Sequence, residues 1–124
     1  MAERKTIPPS DWPKADREAW SAARTPGDIF DNGGQAASWR PSTITNFEHD
    51  YGRWLGWLAE CGHPDPEARP GDRVSPELLR AYVKDLQRDT APVTVANHGR
   101  RLYTGMQIFA PEHDWTWLRD VKAH

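Results

Sequence analysis

The run Thr90–Pro111, TAPVTVANHGRRLYTGMQIFAP, constrains this chain more than any other stretch. Its prolines confine a helix to about Pro92–Ala110, because proline is at home in a first helical turn and breaks an interior one. Val95, Leu102, Met106 and Phe109 recur at helical spacing and form an apolar stripe. Asn97, Arg100, Arg101, Thr104 and Gln107 fall on the other side. No acidic residue lies between Asp89 and Glu112. Such a face combines base-reading and phosphate-binding side chains with no carboxylate to repel a phosphate. An ordinary amphipathic helix with a solvated polar face carries the same pattern, so the run alone does not decide its use.

The rest of the chain also reads as helical. Met1–Pro9 is polar and proline-bearing. Ser10 or Asp11 can cap a helix with Pro13 in its first turn. That helix runs to about Arg24, with Trp12, Ala15, Ala19, Trp20 and Ala23 inward. Thr25–Gly34 is turn-rich and breaks any periodic element. Gln35–Trp39 fits a single helical turn. From Pro41, with Ser42 or Thr43 as cap, a second helix extends to about Cys61 on the stripe Ile44, Phe47, Tyr51, Trp54, Leu55 and Leu58. Gly62 is placed to end it and Pro64 to block its continuation. Gly52 and Gly56 lie inside it, each costing about 1 kcal/mol relative to alanine, which points to close approach by another backbone or by DNA. His63–Val74 is a loop by composition. Ser75-Pro76-Glu77 starts a third long helix that buries Leu78, Leu79, Tyr82, Val83 and Leu86 and ends near Arg88. Asp114 can cap a short last helix with Trp115 and Leu118 inward. The expected fold is all-α, a compact bundle of four to five helices without strand-like alternation. An arm at 1–40, one helix and a loop, precedes a helical domain at 41–121.

Composition narrows the function. At 124 residues the chain can bury a real core, and seven tryptophans compensate for few aliphatic residues. The formal net charge of −2 argues against coating nucleic acid by bulk electrostatics, but not against one local contact patch. One cysteine permits no internal disulfide and suits a reducing cytoplasm. With no membrane-length apolar run and no signal peptide, a cytoplasmic protein is expected, with no membrane partner.

Chemistry-bearing constellations are sparse. The five histidines are scattered without metal-ligand spacing. Cys61 has no obvious base and reads as a packed thiol. No catalytic residue, metal site or cofactor is expected, and the chain is not expected to be an enzyme by itself. DNA contact is the better-supported reading. Thr43, Thr45, His49 and Arg53 on the second helix can reach phosphate or a base edge. Asn97 suits adenine, Arg100 or Arg101 suits guanine or phosphate, and Thr104 lies on the same face. Thr94 stands in the first turn, where a backbone N–H can hold a phosphate. The rival is a helical protein–protein interaction module without DNA binding, in which Trp57 and Trp117 would be hot spots.

The ordered set Ser42-Thr43-Ile44 with Tyr51, Trp54 and Trp57-Leu58, then Ser75–Leu86, then Ala91–Asn97 with Arg100, Arg101 and Leu102, resembles the N-terminal core-binding domain of tyrosine recombinases, the phage-integrase class. Asp114–Leu118 resembles the segment that closes that domain. The resemblance covers Trp39–Leu118, about two-thirds of the chain. It implies a SAM-like helical domain that grips double-stranded DNA beside the cleavage site in DNA integration and recombination. It also implies a C-terminal catalytic domain, outside this chain, with an arginine-rich set and a nucleophilic tyrosine, and four protomers assembling on two sites. His98-Gly99-Arg100-Arg101 formally matches the family's His-x-x-Arg box. That box belongs to the catalytic domain, so here it reads as contact rather than catalysis. Gly99 stands where the family commonly carries a larger apolar residue, and residues 1–40 have no family role.

Overall fold

A computed structural model of the chain describes residues 6–28, 31–34, 36–61 and 69–119. It divides into two compact units, Met1–Arg69 and Pro70–His124. The division falls at Arg69, whereas the sequence suggested a boundary at Pro41. The helical class holds: five α-helices account for most of the described residues, α1 (Lys14–Arg24), α2 (Pro41–Glu60), α3 (Pro76–Asp89), α4 (Pro92–Phe109) and α5 (Thr116–Arg119). None of them is long and apolar enough to cross a membrane.

The first unit is built on aromatic contacts between α1, the segment before α2, and α2 itself. Trp12 meets Tyr51 edge-on at 5.0 Å, and Trp20 lies 4.7 Å from Phe47 and 5.9 Å from Trp39. Trp54 stacks on Trp57 at 5.6 Å. A buried indole usually finds a partner for its N–H. Trp12 Nε1 donates to the Ile7 carbonyl at 2.8 Å, and Trp20 Nε1 donates to Glu48 Oε2 at 2.7 Å. Asp16, absent from the expected inward set, is fully buried and accepts a 2.5 Å hydrogen bond from the Tyr51 hydroxyl. Of that expected set Trp12, Trp20 and Ala23 are buried, while Ala15 and Ala19 are half-buried.

Helix starts in this unit differ from the expected side-chain caps. Ser10 and Asp11 belong to a 3-10 turn, Pro9–Asp11, and α1 starts after Pro13 without a side-chain cap. Arg40 occupies the N-cap of α2, Pro41 its first position, and Ser42 and Thr43 lie inside. In the 3-10 turn and in α2 proline stands in the first turn, where its fixed φ fits and its missing N–H leaves one fewer donor to cap, whereas in α1 Pro13 is itself the N-cap. The turn-rich segment after α1 holds a small antiparallel ribbon, β1 (Pro26–Asp28) with β2 (Asp31–Gly33), in register Pro26 with Gly33 and Asp28 with Asp31. Three-residue strands of proline, glycine, asparagine and aspartate carry no alternation to announce them. Gly34 N donating to Thr25 O at 3.0 Å continues the ribbon's ladder by one pair, and Ala36 N donating to Ala23 O at 2.9 Å ties the chain just after it to α1. Ala36–Ser38 form turns rather than a helix.

The first glycine of α2 is explained by the N-terminal segment, not by DNA. Ile7 N donates to Gly52 O at 3.2 Å, and a Cβ on Gly52 would run into the Ile7 carbonyl oxygen. The expected stop at Gly62 and Pro64 lies outside the described residues; α2 ends at Glu60 with Cys61 as its C-cap. Cys61 is exposed, which corrects the expectation of a packed thiol: it lies past the end of the buried stripe.

In the second unit the expected starts hold. Ser75 Oγ accepts from Leu78 N at 3.2 Å with Pro76 next to it, and Leu79, Tyr82 and Leu86 are buried. Helix α4 packs on α3, on α5 and on the 3-10 turn Pro70–Arg73, which occupies part of the expected loop. There Gly71 leaves room for the Ala110 methyl, 2.7 Å from where its own Cβ would sit. Trp115 Nε1 donates to Ala110 O at 2.7 Å and so closes the C-terminal end of α4. Asp114 caps α5, accepting from Thr116 N at 2.9 Å and from the Thr116 hydroxyl.

Two measurements test this packing. Alanine in a helix interior ordinarily gains about 1 kcal/mol over glycine. Gly52→Ala should instead destabilise the protein by about 1–3 kcal/mol in urea denaturation, because the added methyl displaces Ile7; a stabilised variant would contradict the contact. The Thr116 hydroxyl and, next, its N–H hold the Asp114 carboxyl below its ordinary 3.8. This cap therefore contributes above that pH and is lost as pH falls through the lowered pKa. A carboxyl-carbon NMR titration should place Asp114 below 3.8, and Thr116→Val should raise it.

Candidate nucleic-acid interface

The expected contact residues divide between the two units. Thr94, Asn97, Arg100, Arg101 and Thr104 lie on α4, and Thr43, Thr45, His49 and Arg53 on α2.

Burial sorts α4 into two sides. Val95, His98, Gly99, Leu102, Gly105 and Met106 are buried, a wider set than the expected stripe, and Phe109 is half-buried. The outward line runs Val93, Asn97, Arg100, Thr104 and Gln107, spaced by four and three, so these residues share one face. Val93, Arg100 and Gln107 are exposed; Asn97, Arg101 and Thr104 are half-buried. Arg100 Nη1 donates to Asn97 Oδ1 at 3.3 Å, which ties the two candidate base readers together. Gln107 Nε2 donates to the Tyr103 hydroxyl at 2.9 Å.

Three details revise the chemistry expected there. His98 is buried, 6.4 Å from Tyr82 and edge-on to it, so it is a packing residue and not a contact. The residue falls at the i+3 step from Val95, on the inward side of the helix. Thr94 cannot offer its backbone N–H to a phosphate, because that N–H already donates to Ala91 O at 2.9 Å. Its side chain, half-buried, is what remains for contact. The Thr104 hydroxyl hydrogen is committed to Arg100 O at 3.1 Å. In that rotamer the oxygen can only accept, and a phosphate has no proton to give it.

On α2 the contact set is less uniform. Thr45, His49 and Arg53 fall on one i, i+4, i+8 row, whereas Thr43 is two residues from Thr45 and points to the opposite side. Thr43, Thr45 and His49 are exposed. His49 Nδ1 lies 3.4 Å from Asp50 Oδ1, so a carboxylate stands beside the row. Arg53 is half-buried, and its Nε is enclosed without a hydrogen-bond partner. A phosphate would meet repulsion here that it does not meet on α4.

Trp57 is only 4% exposed, which removes it as a protein-binding hot spot; it belongs to the apolar side of α2 and stacks on Trp54. Trp117 is half-buried. Buried Asp16 and Arg73 gave no periodic signal, because charged residues at inward positions read as interruptions of the stripe. No known protein family, characterised protein or solved structure matches this chain.

The division of α4 into a packed and a free side predicts opposite behaviour for two neighbours. His98→Ala should cost about 2 kcal/mol or more in denaturant unfolding, as truncation of a packed ring does. Arg100→Ala should stay within about 0.5 kcal/mol of the parent, as exposed substitutions do. Equal stability of the two variants would show that the helix is turned differently.

Proposed function

We propose that this chain binds duplex DNA through the outward face of α4, as the non-catalytic, core-site-binding half of a site-specific tyrosine recombinase. The observation that carries the reading is the acid-free α4 face, on which Arg100 is exposed and joined to Asn97. Arginine offers a planar fork to guanine or phosphate, and an asparagine amide matches adenine. Because the Arg100–Asn97 bond is exposed and long, little is lost when either side chain turns to a base. Arg101 flanks this line as a second cation. The ordered motifs from Ser42 to Leu118 support the recombinase assignment by resemblance. On this reading catalysis, strand exchange and assembly of four protomers belong to a C-terminal domain outside the chain.

The net charge of −2 makes the affinity depend on this local patch rather than on the whole surface. Replacing Arg100 and Arg101 together by alanine should weaken duplex binding and lower the salt slope of log K by about one for each phosphate-contacting arginine lost. An arginine that reads a base should relax sequence preference instead. Fluorescence anisotropy across a salt series distinguishes the two. Unchanged affinity and slope in the double variant would refute the proposal.

A further inference from the structure

A second cationic feature lies on α1, within the first unit, and none of the residues assigned to DNA contact above lines it. An open groove of about 510 Å³ is bordered by Arg17 and Arg24, by the hydroxyl residues Ser10, Ser21 and Thr25, and by the edge of Trp20. Among the described residues that line it none carries a carboxylate. Both guanidinium groups are held rather than loose. Arg17 Nε donates to the Trp12 carbonyl at 3.0 Å, and Trp12 is itself only 2% exposed. This spends one donor on the protein and leaves the two terminal nitrogens for a ligand. Arg24 lies over the Trp20 ring at 5.8 Å, with Nη1 3.7 Å from Glu48 Oε2. Glu48 also accepts from Trp20, so its charge is shared between two donors. Held arginine forks flanked by hydroxyls are suited to phosphate oxygens, and Glu48, the acid beside Arg24, lies outside the groove lining.

The spacing of the two arginines selects among phosphate ligands. They are seven residues apart on one helix, about 10.5 Å along its axis at 1.5 Å per residue. A single phosphate ion is too small to engage both forks when each is anchored. A nucleic-acid strand carries a phosphate about every 3.4 Å of helical rise, so about three consecutive nucleotides span the groove.

We infer that the α1 groove binds the sugar–phosphate backbone of a nucleic-acid strand, with Arg17 and Arg24 each taking a phosphate. This does not rest on the α4 reading. The full chain, isotope-labelled, is titrated by NMR with a short oligonucleotide and, separately, with inorganic phosphate. The expected result is saturable movement of the Arg17 and Arg24 Nε–H signals with oligonucleotide at concentrations where inorganic phosphate moves neither. Arg17→Gln with Arg24→Gln, which removes those signals, should lower the salt slope of oligonucleotide binding by about two. Ser21→Glu places a carboxylate in the groove one helical turn from each arginine, where it competes with phosphate for both; it should weaken binding at least tenfold and keeps the test open if the double variant does not fold. Arg100→Ala with Arg101→Ala should leave the Arg17 and Arg24 movements in place, so the two proposals fail separately. Absence of movement with oligonucleotide, equal movement with inorganic phosphate, or unchanged binding by a folded Ser21→Glu variant would overturn the inference.

Discussion

Burial of indole rings is the constraint on which the first unit depends. A tryptophan removes a large apolar surface from water, worth roughly 5 kcal/mol by area before the entropy of ordering is subtracted. It also carries an N–H that usually finds an acceptor when buried. Here the acceptors determine the architecture. Trp12 reaches back to Ile7 and so draws the N-terminal segment onto α2, where Gly52 gives it room. Trp20 reaches Glu48 and so joins α1 to α2. In the second unit Trp115 does the same for the end of α4 through Ala110. Asp16 and Tyr51 add a buried hydrogen bond between α1 and α2, and leaving one such buried partner unsatisfied ordinarily costs about 1–3 kcal/mol.

That arrangement changes the status of the first forty residues. They are not an arm beside an independent domain but half of the packing around Phe47 and Tyr51. Anything that α2 presents to a ligand is therefore supported by α1 from behind. Charge placement then matters more than charge total. Acids are common in the chain, yet α4 itself contains none and none is among the described residues that line the α1 groove, whereas the α2 row keeps Asp50 beside His49. A phosphate would distinguish these three surfaces although the net charge says nothing about them.

Much of the helical plan was legible because it rests on local rules. Ser75-Pro76 and Asp114 act as caps where their spacing said they would. The stripes of α2 and α4 are mostly buried where apolar residues recur every three or four positions, with Ile44 and Phe109 half-buried at their ends. Other features were hidden for a physical reason. Ser10, Asp11, Ser42 and Thr43 have the right chemistry for caps, but prolines nearby set the starts without a side-chain bond. The Pro26–Gly33 ribbon has no alternating pattern of its own, and the chain leaving it is tied to α1 through Ala36. Of the contact residues, Asn97 and Arg100 were legible together as i, i+3 neighbours. The burial of His98 and the occupied Thr94 N–H depend on how the helix is turned and how its first turn closes.

The sequence by itself determined the helical class, the extents of the long helices and the absence of acid along α4. Each follows from residue order within one helix or from composition. The tertiary structure decided the fate of individual polar and aromatic groups: Asp16 inward, Cys61 outward, Trp57 covered, Gly52 pressed against Ile7. It also brought Arg17 and Arg24 to one groove with Ser10, which lies outside their helix. Those outcomes depend on which distant atom fills the space beside a side chain, and no periodicity within a single helix records that.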